Sequence, residues 1–271
     1  MNEFQLTPKP DDERLTQRVG GIDQNGAPVD MRVVVEKPLT LYLNGQEIVT
    51  MMTVGDHLQY LAVGYLLNQN MLRPNDSISG IDHDEDLAVV VVRTERTTDF
   101  EEKLQKKTLT SGCAQGTAFG DLMEHFDEVE LAADAVLKTS WIYDLSRKIN
   151  QQPSLYLAAG AIHGCVLCQG DRPLIYMEDV GRHNAVDKAL GRLMLDGDFP
   201  LDHRVLMVSG RASFEILQKA LAGRVPVICA VSAPSSLAVE FAQESGQTLV
   251  GFLRGDTFNV YSHPERITGL S

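Results

Sequence analysis

One cysteine stands apart from the other three. Cys113 lies in Thr108-Leu109-Thr110-Ser111-Gly112-Cys113-Ala114-Gln115-Gly116-Thr117, a stretch of small residues without hydrophobic periodicity that reads as a loop. The thiolate is the reactive form of cysteine, and glycine, serine and alanine neighbours leave room around sulfur and backbone amides free to approach it. The setting suits a nucleophile that has to be delivered to a partner. Cysteine is also commonly buried and inert, so spacing alone leaves an incidental loop cysteine as the competing reading.

Two more cysteines fall in His163-Gly164-Cys165-Val166-Leu167-Cys168. Cys-x-x-Cys with a histidine two residues upstream offers nitrogen and sulfur ligands of the kind zinc accepts. Zinc deaminases use such a set, but with His-x-Glu and a later Pro-Cys-x-x-Cys, the glutamate moving protons. Neither that glutamate nor that proline is present in this run. The preferred reading is a buried small-residue helix near 162–168, with no metal expected.

The most informative run is Met177-Glu178-Asp179-Val180-Gly181-Arg182-His183-Asn184-Ala185-Val186-Asp187-Lys188-Ala189-Leu190-Gly191. A strand ending at Glu178-Asp179, a glycine turn and a helix opening at Arg182-His183-Asn184 gather charged groups at the carboxyl edge of a sheet, where ligands of open α/β sheets bind. Asp179 and Asn184 as turn and cap residues, with Arg182 as a surface ion-pair partner, are the bland alternative. Three further strand ends repeat the pattern: Val208-Ser209-Gly210-Arg211-Ala212-Ser213, Ala230-Val231-Ser232-Ala233-Pro234-Ser235-Ser236 and Phe252-Leu253-Arg254-Gly255-Asp256-Thr257. Ser213 and Ser235 or Ser236 are also natural helix N-caps. Together the loops offer amides, hydroxyls and guanidinium forks for a phosphorylated ligand.

These loops need elements to hold them. The 271 residues suffice for one large or two modest domains at roughly 100–200 residues each. With 44% hydrophobic and 23% charged residues the chain is neither disordered nor fibrous. A net charge of −13 argues against nucleic acid, because neutralised phosphates supply most of that affinity. Residues 172–224 hold 8 Lys/Arg against 7 Asp/Glu, a relatively basic segment fit for a small anionic ligand. Met1-Asn2-Glu3-Phe4-Gln5-Leu6 lacks the regions of a signal peptide, and no apolar run approaches the ~18 residues of a membrane helix. A cytoplasmic protein without a membrane segment is therefore expected, its four cysteines reduced.

Residues 1–30 read as a polar arm with a short hairpin, outside the core. Asn44-Gly45 between two strand-like runs predicts a hairpin. Asp56 is placed to cap a helix through Leu58, Leu61, Ala62 and Tyr65, and Leu87–Val92 reads as a buried strand. This makes a small α+β domain over 31–107, followed by the cysteine loop at 108–131. From Ala132 to Asn150 the spacing predicts a helix. Strand-like runs at 154–159, 173–178, 204–209, 225–231 and 247–253 then alternate with helical stretches near 162–168, 183–196, 212–222 and 235–245. That alternation predicts an α/β domain over 132–271 with a largely parallel, helix-covered sheet.

The runs Glu178–Lys188, Ser209–Glu215, Val231–Glu240 and Gly251–Asp256 resemble, in order and spacing, the formate dehydrogenase accessory sulfurtransferase family FdhD/NarQ. The resemblance spans about residues 30 to 262. It implies a cytidine-deaminase-like C-terminal α/β domain with a smaller N-terminal α+β domain, a homodimer, and no deaminase zinc. It further implies a sulfur carrier in which a loop cysteine, by position Cys113, accepts a persulfide from a cysteine desulfurase. The sulfur then passes to a bis-molybdopterin guanine dinucleotide cofactor, as formate dehydrogenase requires. The family's cofactor-binding segment corresponds to Phe252, Leu253, Arg254, Gly255, Asp256 and Thr257, with Arg182, His183, Ser209, Arg211 and Ser232 as further candidates. One departure stands out: many members carry Cys-x-x-Cys in the loop, whereas Gly116 stands at the second position. That excludes a two-thiol relay within the loop, and it keeps a non-enzymatic cofactor-binding chaperone as the alternative. A zinc hydrolase of the deaminase type is the third class.

Overall fold

The computed structural model describes residues 4–73, 75–96, 107–109, 117–119, 129–198, 201–255 and 257–270. Thr16–Ile22 (β1) and Pro28–Val34 (β2) form a hairpin in which the Asp23 carboxylate accepts from the Asn25 and Ala27 amides at 2.8 and 2.9 Å. Lys37–Leu43 (β3) and Gln46–Thr53 (β4) form the hairpin expected at Asn44-Gly45, with Asn44 left-handed at φ 53°. Helix Leu58–Asn68 (α1) follows, then Ile78–Asp84 (β5) and Val89–Thr94 (β6), which complete a four-stranded sheet ordered β4-β3-β6-β5. Leu39, Leu41 and Leu43 share one face of β3, as the two-residue period requires, and pack with Leu61, Ala62 and Leu66 of α1. Asp56 does not cap α1. The N-cap is His57 at φ 49°, and the Asp56 carboxylate is drawn instead to a buried lysine, Lys188.

Lys107–Leu109 (β7) and Thr117–Phe119 (β8) pair antiparallel, with Leu109 opposite Thr117. Both were expected to lie within or beside loop, and the intervening Cys113 falls outside the described residues. Leu137–Lys138 (β9) leads into Thr139–Gln151 (α2) and Leu155–Ala159 (α3). The helix predicted from Ala132 begins only at Thr139, because β9 is taken into a parallel pair with Ile267–Thr268, the last strand of the chain.

The remaining elements are His163–Gln169 (β10), Arg172–Asp179 (β11), Arg182–Asp196 (α4), Arg204–Val208 (β12), Phe214–Ala222 (α5), Val227–Ala230 (β13), Ser236–Glu244 (α6), Thr248–Arg254 (β14) and Thr257–Ser262 (β15). They build a six-stranded sheet ordered β11-β10-β12-β13-β14-β15. Only the β12–β13 and β13–β14 pairs are parallel and the other three are antiparallel, so the largely parallel sheet expected from sequence is a mixed one. Two of its connections are tight turns at Gly170 (φ 61°) and Gly255 (φ 58°) rather than helical crossovers.

Two assignments are exchanged. Residues 154–159, expected as a strand, form α3: the Ser154 hydroxyl accepts from the Leu157 amide at 3.2 Å, and Gly160 at φ 86° closes the other end. Residues 162–168, expected as a helix, form β10. Cys165 and Leu167 pack with α4, α5 and α6 on one face, while Val166 and Cys168 pack with Ile142 and Leu145 of α2 on the other. A strand buried on both faces loses its alternating pattern and cannot be told from a short helix by periodicity. The N-terminal arm is also not outside the core. Leu15 is buried, and residues 5 and 6 run along β11, with Gln5 N donating to Leu174 O at 2.8 Å and Tyr176 N to Leu6 O at 3.0 Å.

Candidate functional site

The ends of β11, β12, β13 and β14 and the start of β10 meet at one edge of the six-stranded sheet. On the α2 side of that edge lies a cavity of about 710 Å³, within the range small-molecule sites occupy. Its floor is apolar: Val166, Met207, Cys229 and Leu253 from four strands, with Ile149 of α2 opposite. Its polar side chains are Ser146, Asn150, Tyr156, His163, Tyr176, Ser209 and Arg254. The Gly164 amide donates to Ser209 Oγ at 2.8 Å, tying β10 to the end of β12. Burial, with the adjacent Arg182 charge second, lowers the pKa of His163. A mostly apolar cleft with one guanidinium at its rim suits a nucleotide-like ligand having a flat ring and an anionic tail.

The sequence candidates divide between several places. Ser209, Leu253, Arg254 and Gly255 line this cavity. Phe252 sits on a bulge of β14 at φ 53°, its ring 39% exposed and the Arg254 guanidinium 6.0 Å from its centre. Such a positive φ in an aromatic residue is held only where surrounding structure determines it. Thr257 Oγ1 donates to Arg254 O at 3.0 Å and fixes the turn; Asp256 lies outside the described residues. Ser232 stands beside the bulge, its carbonyl accepting from the Phe252 amide at 3.4 Å, and Arg211 is exposed at the end of β12; neither lines the cavity. Arg182 and His183 head α4 on the opposite face of the sheet and also do not line it. Sequence reasoning missed Tyr156 and Asn150, which no local signal marks because α2 and α3 reach the cavity only through tertiary packing.

Much of the Glu178–Lys188 run does structural work. The Glu178 carboxylate accepts the Leu155 and Tyr156 amides at 2.7 and 3.1 Å and so caps α3; burial nonetheless raises its pKa. Asp179 accepts from Thr53 Oγ1 at 2.6 Å, the Gly181 amide at 3.1 Å and Asn184 Nδ2 at 2.9 Å. Asn184 also donates to Met52 O at 2.8 Å. Lys188, wholly buried, lies 2.5 Å from Asp56 and 2.6 Å from Asp179. Burial alone lowers a lysine pKa, but the two carboxylates outweigh it and hold this one above its ordinary value. Immediately before it on α4, Asp187 accepts from Lys219 at 2.5 and 2.6 Å and from Asn68 of α1 at 2.5 Å. The run thus clamps the four-stranded sheet and α1 onto the larger unit.

Cys165, Cys168 and Cys229 are free and buried. Cys165 and Cys168 face opposite sides of β10, so His163, Cys165 and Cys168 form no joint ligand set. Burial pushes all three thiols up, Cys229 to about 12, which leaves them protonated and unreactive. No helix among the described residues is long and apolar enough to cross a membrane.

The model of the FdhD/NarQ family matches residues 34–268. A sulfur carrier protein FdhD from Streptomyces coelicolor is 37% identical over 272 residues, 94% of this chain and 96% of that protein. One from Bacillus subtilis is 34% identical over 245 residues, 88% of this chain and 91% of that protein. The fold is similar to a solved structure of a putative formate dehydrogenase accessory protein from Desulfotalea psychrophila, with a TM-score of 0.74 and 27% identity, covering 93% of this chain and 98% of that one. A family match over residues 34–268, with relatives similar across most of the length, makes the chain a member of the FdhD/NarQ family.

Proposed function

We propose that this chain is a sulfur carrier for formate dehydrogenase maturation that loads sulfur on Cys113 as a persulfide and delivers it to a bis-molybdopterin guanine dinucleotide cofactor at the sheet edge. The observation that carries the reading is one of elimination: of four cysteines, three are buried with protonated thiols, which leaves Cys113. The names of the relatives, sulfur carrier proteins and a putative formate dehydrogenase accessory protein, support the role.

The Cys113 thiolate attacks the outer sulfur of a persulfide on a cysteine desulfurase. A new S–S bond forms as the desulfurase S–S bond breaks, and the desulfurase thiolate leaves. In this loading step the moving sulfur stays zero-valent, so loading needs no outside oxidant and only one thiol, consistent with Gly116 in place of a second cysteine. The cavity has room for one guanine nucleotide arm. Arg254 would hold its phosphates with a planar fork, the Gly255 backbone would leave room beside them, and the apolar floor would exclude water from the ring. When bound, the cofactor supplies the metal centre that receives sulfur.

The same reading makes residues 132–271 cytidine-deaminase-like, supported by a β10–β11 hairpin followed by helix-linked parallel strands. It makes 31–107 a smaller domain, 1–30 an arm, 108–131 the segment carrying the thiol, and the protein a cytoplasmic homodimer. The test is peptide mass spectrometry after incubation with a cysteine desulfurase and cysteine, without reductant. A gain of about one sulfur, roughly 32 Da, on the Cys113 peptide and its loss in Cys113→Ala are expected. No gain where a control carrier loads would sink the relay and leave a cofactor-binding chaperone.

A further inference from the structure

Arg182 is the first residue of α4, and its Nε and Nη2 atoms are buried with no hydrogen-bond partner among the described residues. The side chain runs past Gly210, where a Cβ would sit 3.3 Å from Arg182 Cδ and 3.4 Å from His163 Nδ1, so all three converge. Beside them His183 Nε2 lies 3.3 Å from Ser213 Oγ. Ser213 is the N-cap of α5 yet does not bond its own helix, and Gly181 has no side chain with which to cap α4. The first-turn amides of both helices therefore lack side-chain caps.

Asp179, the carboxylate three residues before Arg182, is already committed. Asp179 shares its two oxygens among Lys188, Thr53, Asn184 and the Gly181 amide. Burial pushes His183 down to about 3, with Lys219, Arg182 and His163 adding like-charge repulsion, so it is a neutral hydrogen-bonding group beside a fixed positive charge. Buried guanidinium nitrogens left unpaired, as Nε and Nη2 are here, are costly and call for a partner. Its fork matches two oxygens of a tetrahedral anion.

From this convergence we propose that the chain binds a phosphate-class oxyanion between the N-termini of α4 and α5, held by Arg182 with His183 and Ser213. The site lies across the sheet from the cavity and adjoins it at His163. Arg182, His183 and Ser213 belong to the α4 and α5 side of the sheet, and the cavity to the α2 side, with His163 bordering both. It is independent of sulfur loading on Cys113.

The test is calorimetric titration and thermal melting of the full chain in phosphate-free buffer, with inorganic phosphate and guanosine diphosphate as probes. Phosphate is expected to bind and to raise the melting temperature. Arg182→Met is expected to weaken phosphate at least about tenfold. Without phosphate, Arg182→Met should melt no lower than wild type, since it removes an unpaired buried charge; that measurement separates a lost site from a lost fold. If phosphate and the nucleotide bind together, the anion is a free one. If they compete and Arg182→Met weakens both, the nucleotide's own phosphate fills the site. Absence of phosphate binding to wild type, or binding that Arg182→Met leaves intact, overturns the proposal.

Discussion

Lys188 has no exposed surface and keeps its charge because two carboxylates from different parts of the chain, Asp56 and Asp179, face it within 2.6 Å. Lys188→Met would leave both carboxylates without their cation and should destabilise the protein by about 3–5 kcal/mol, measured by urea unfolding. His183 predicts a pH dependence. Its folded pKa, about 3, lies below the ordinary histidine value of 6.5, so between those values the unfolded chain binds the extra proton. Stability from this residue is therefore full above pH 6.5 and falls as pH drops toward 3, by up to about 1.4 kcal/mol per unit. Glu178 and Asp187, raised by burial, act in the opposite sense, so the readout is the difference in slope between wild type and His183→Asn in phosphate-free buffer. A variant with the same slope as wild type would refute the assignment.

At the scale of elements, the α1–α4 contact depends on two glycines. A Cβ on Gly64 would lie 1.8 Å from Asp187 O, and one on Gly191 2.0 Å from Tyr60 O. The opposing atoms are backbone, so neither helix can yield by changing a rotamer. Gly64→Ala should cost about 3 kcal/mol or more, a larger loss than usual overpacking, and unchanged urea stability would show that the helices do not cross this closely. The amphipathic helices α5 and α6 and the hairpin at Asn44-Gly45 were legible because their signals are local. β10 and α3 were not: one is apolar on both faces, and the other owes its start to Ser154 and to a carboxylate from β11. A serine cap before an apolar run and a glycine after it at 160 were available as signals, as was Gly170-Asp171 between two strands.

For the molecule as a whole, the meeting of the strand-end runs at one edge was readable because four of them repeat one pattern. Their division between two faces of the sheet was not, because a residue's face depends on register and bulges. The Glu178–Lys188 run combines both lessons: Arg182 and His183 stand at the edge, while Asp179, Asn184, Asp187 and Lys188 join the small sheet and α1 to the large unit. This connection predicts one cooperative urea transition, with fluorescence of Trp141 in α2, the only tryptophan in the chain, coinciding with far-ultraviolet circular dichroism. Separate midpoints would show that the two units unfold independently.

The pairing of residues 5 and 6 with β11 has a bearing on solubility. An outermost strand left bare is a template for a foreign strand, and β11 is buried along nearly its whole length, with no lysine row to deter a visitor and a single irregularity at Leu174. The arm occupies that rim in cis. Deleting residues 1–8 should therefore leave the sheet folded but open it to edge-to-edge association, seen as concentration-dependent aggregation by light scattering. In that sense the polar leader is a guard against self-templating.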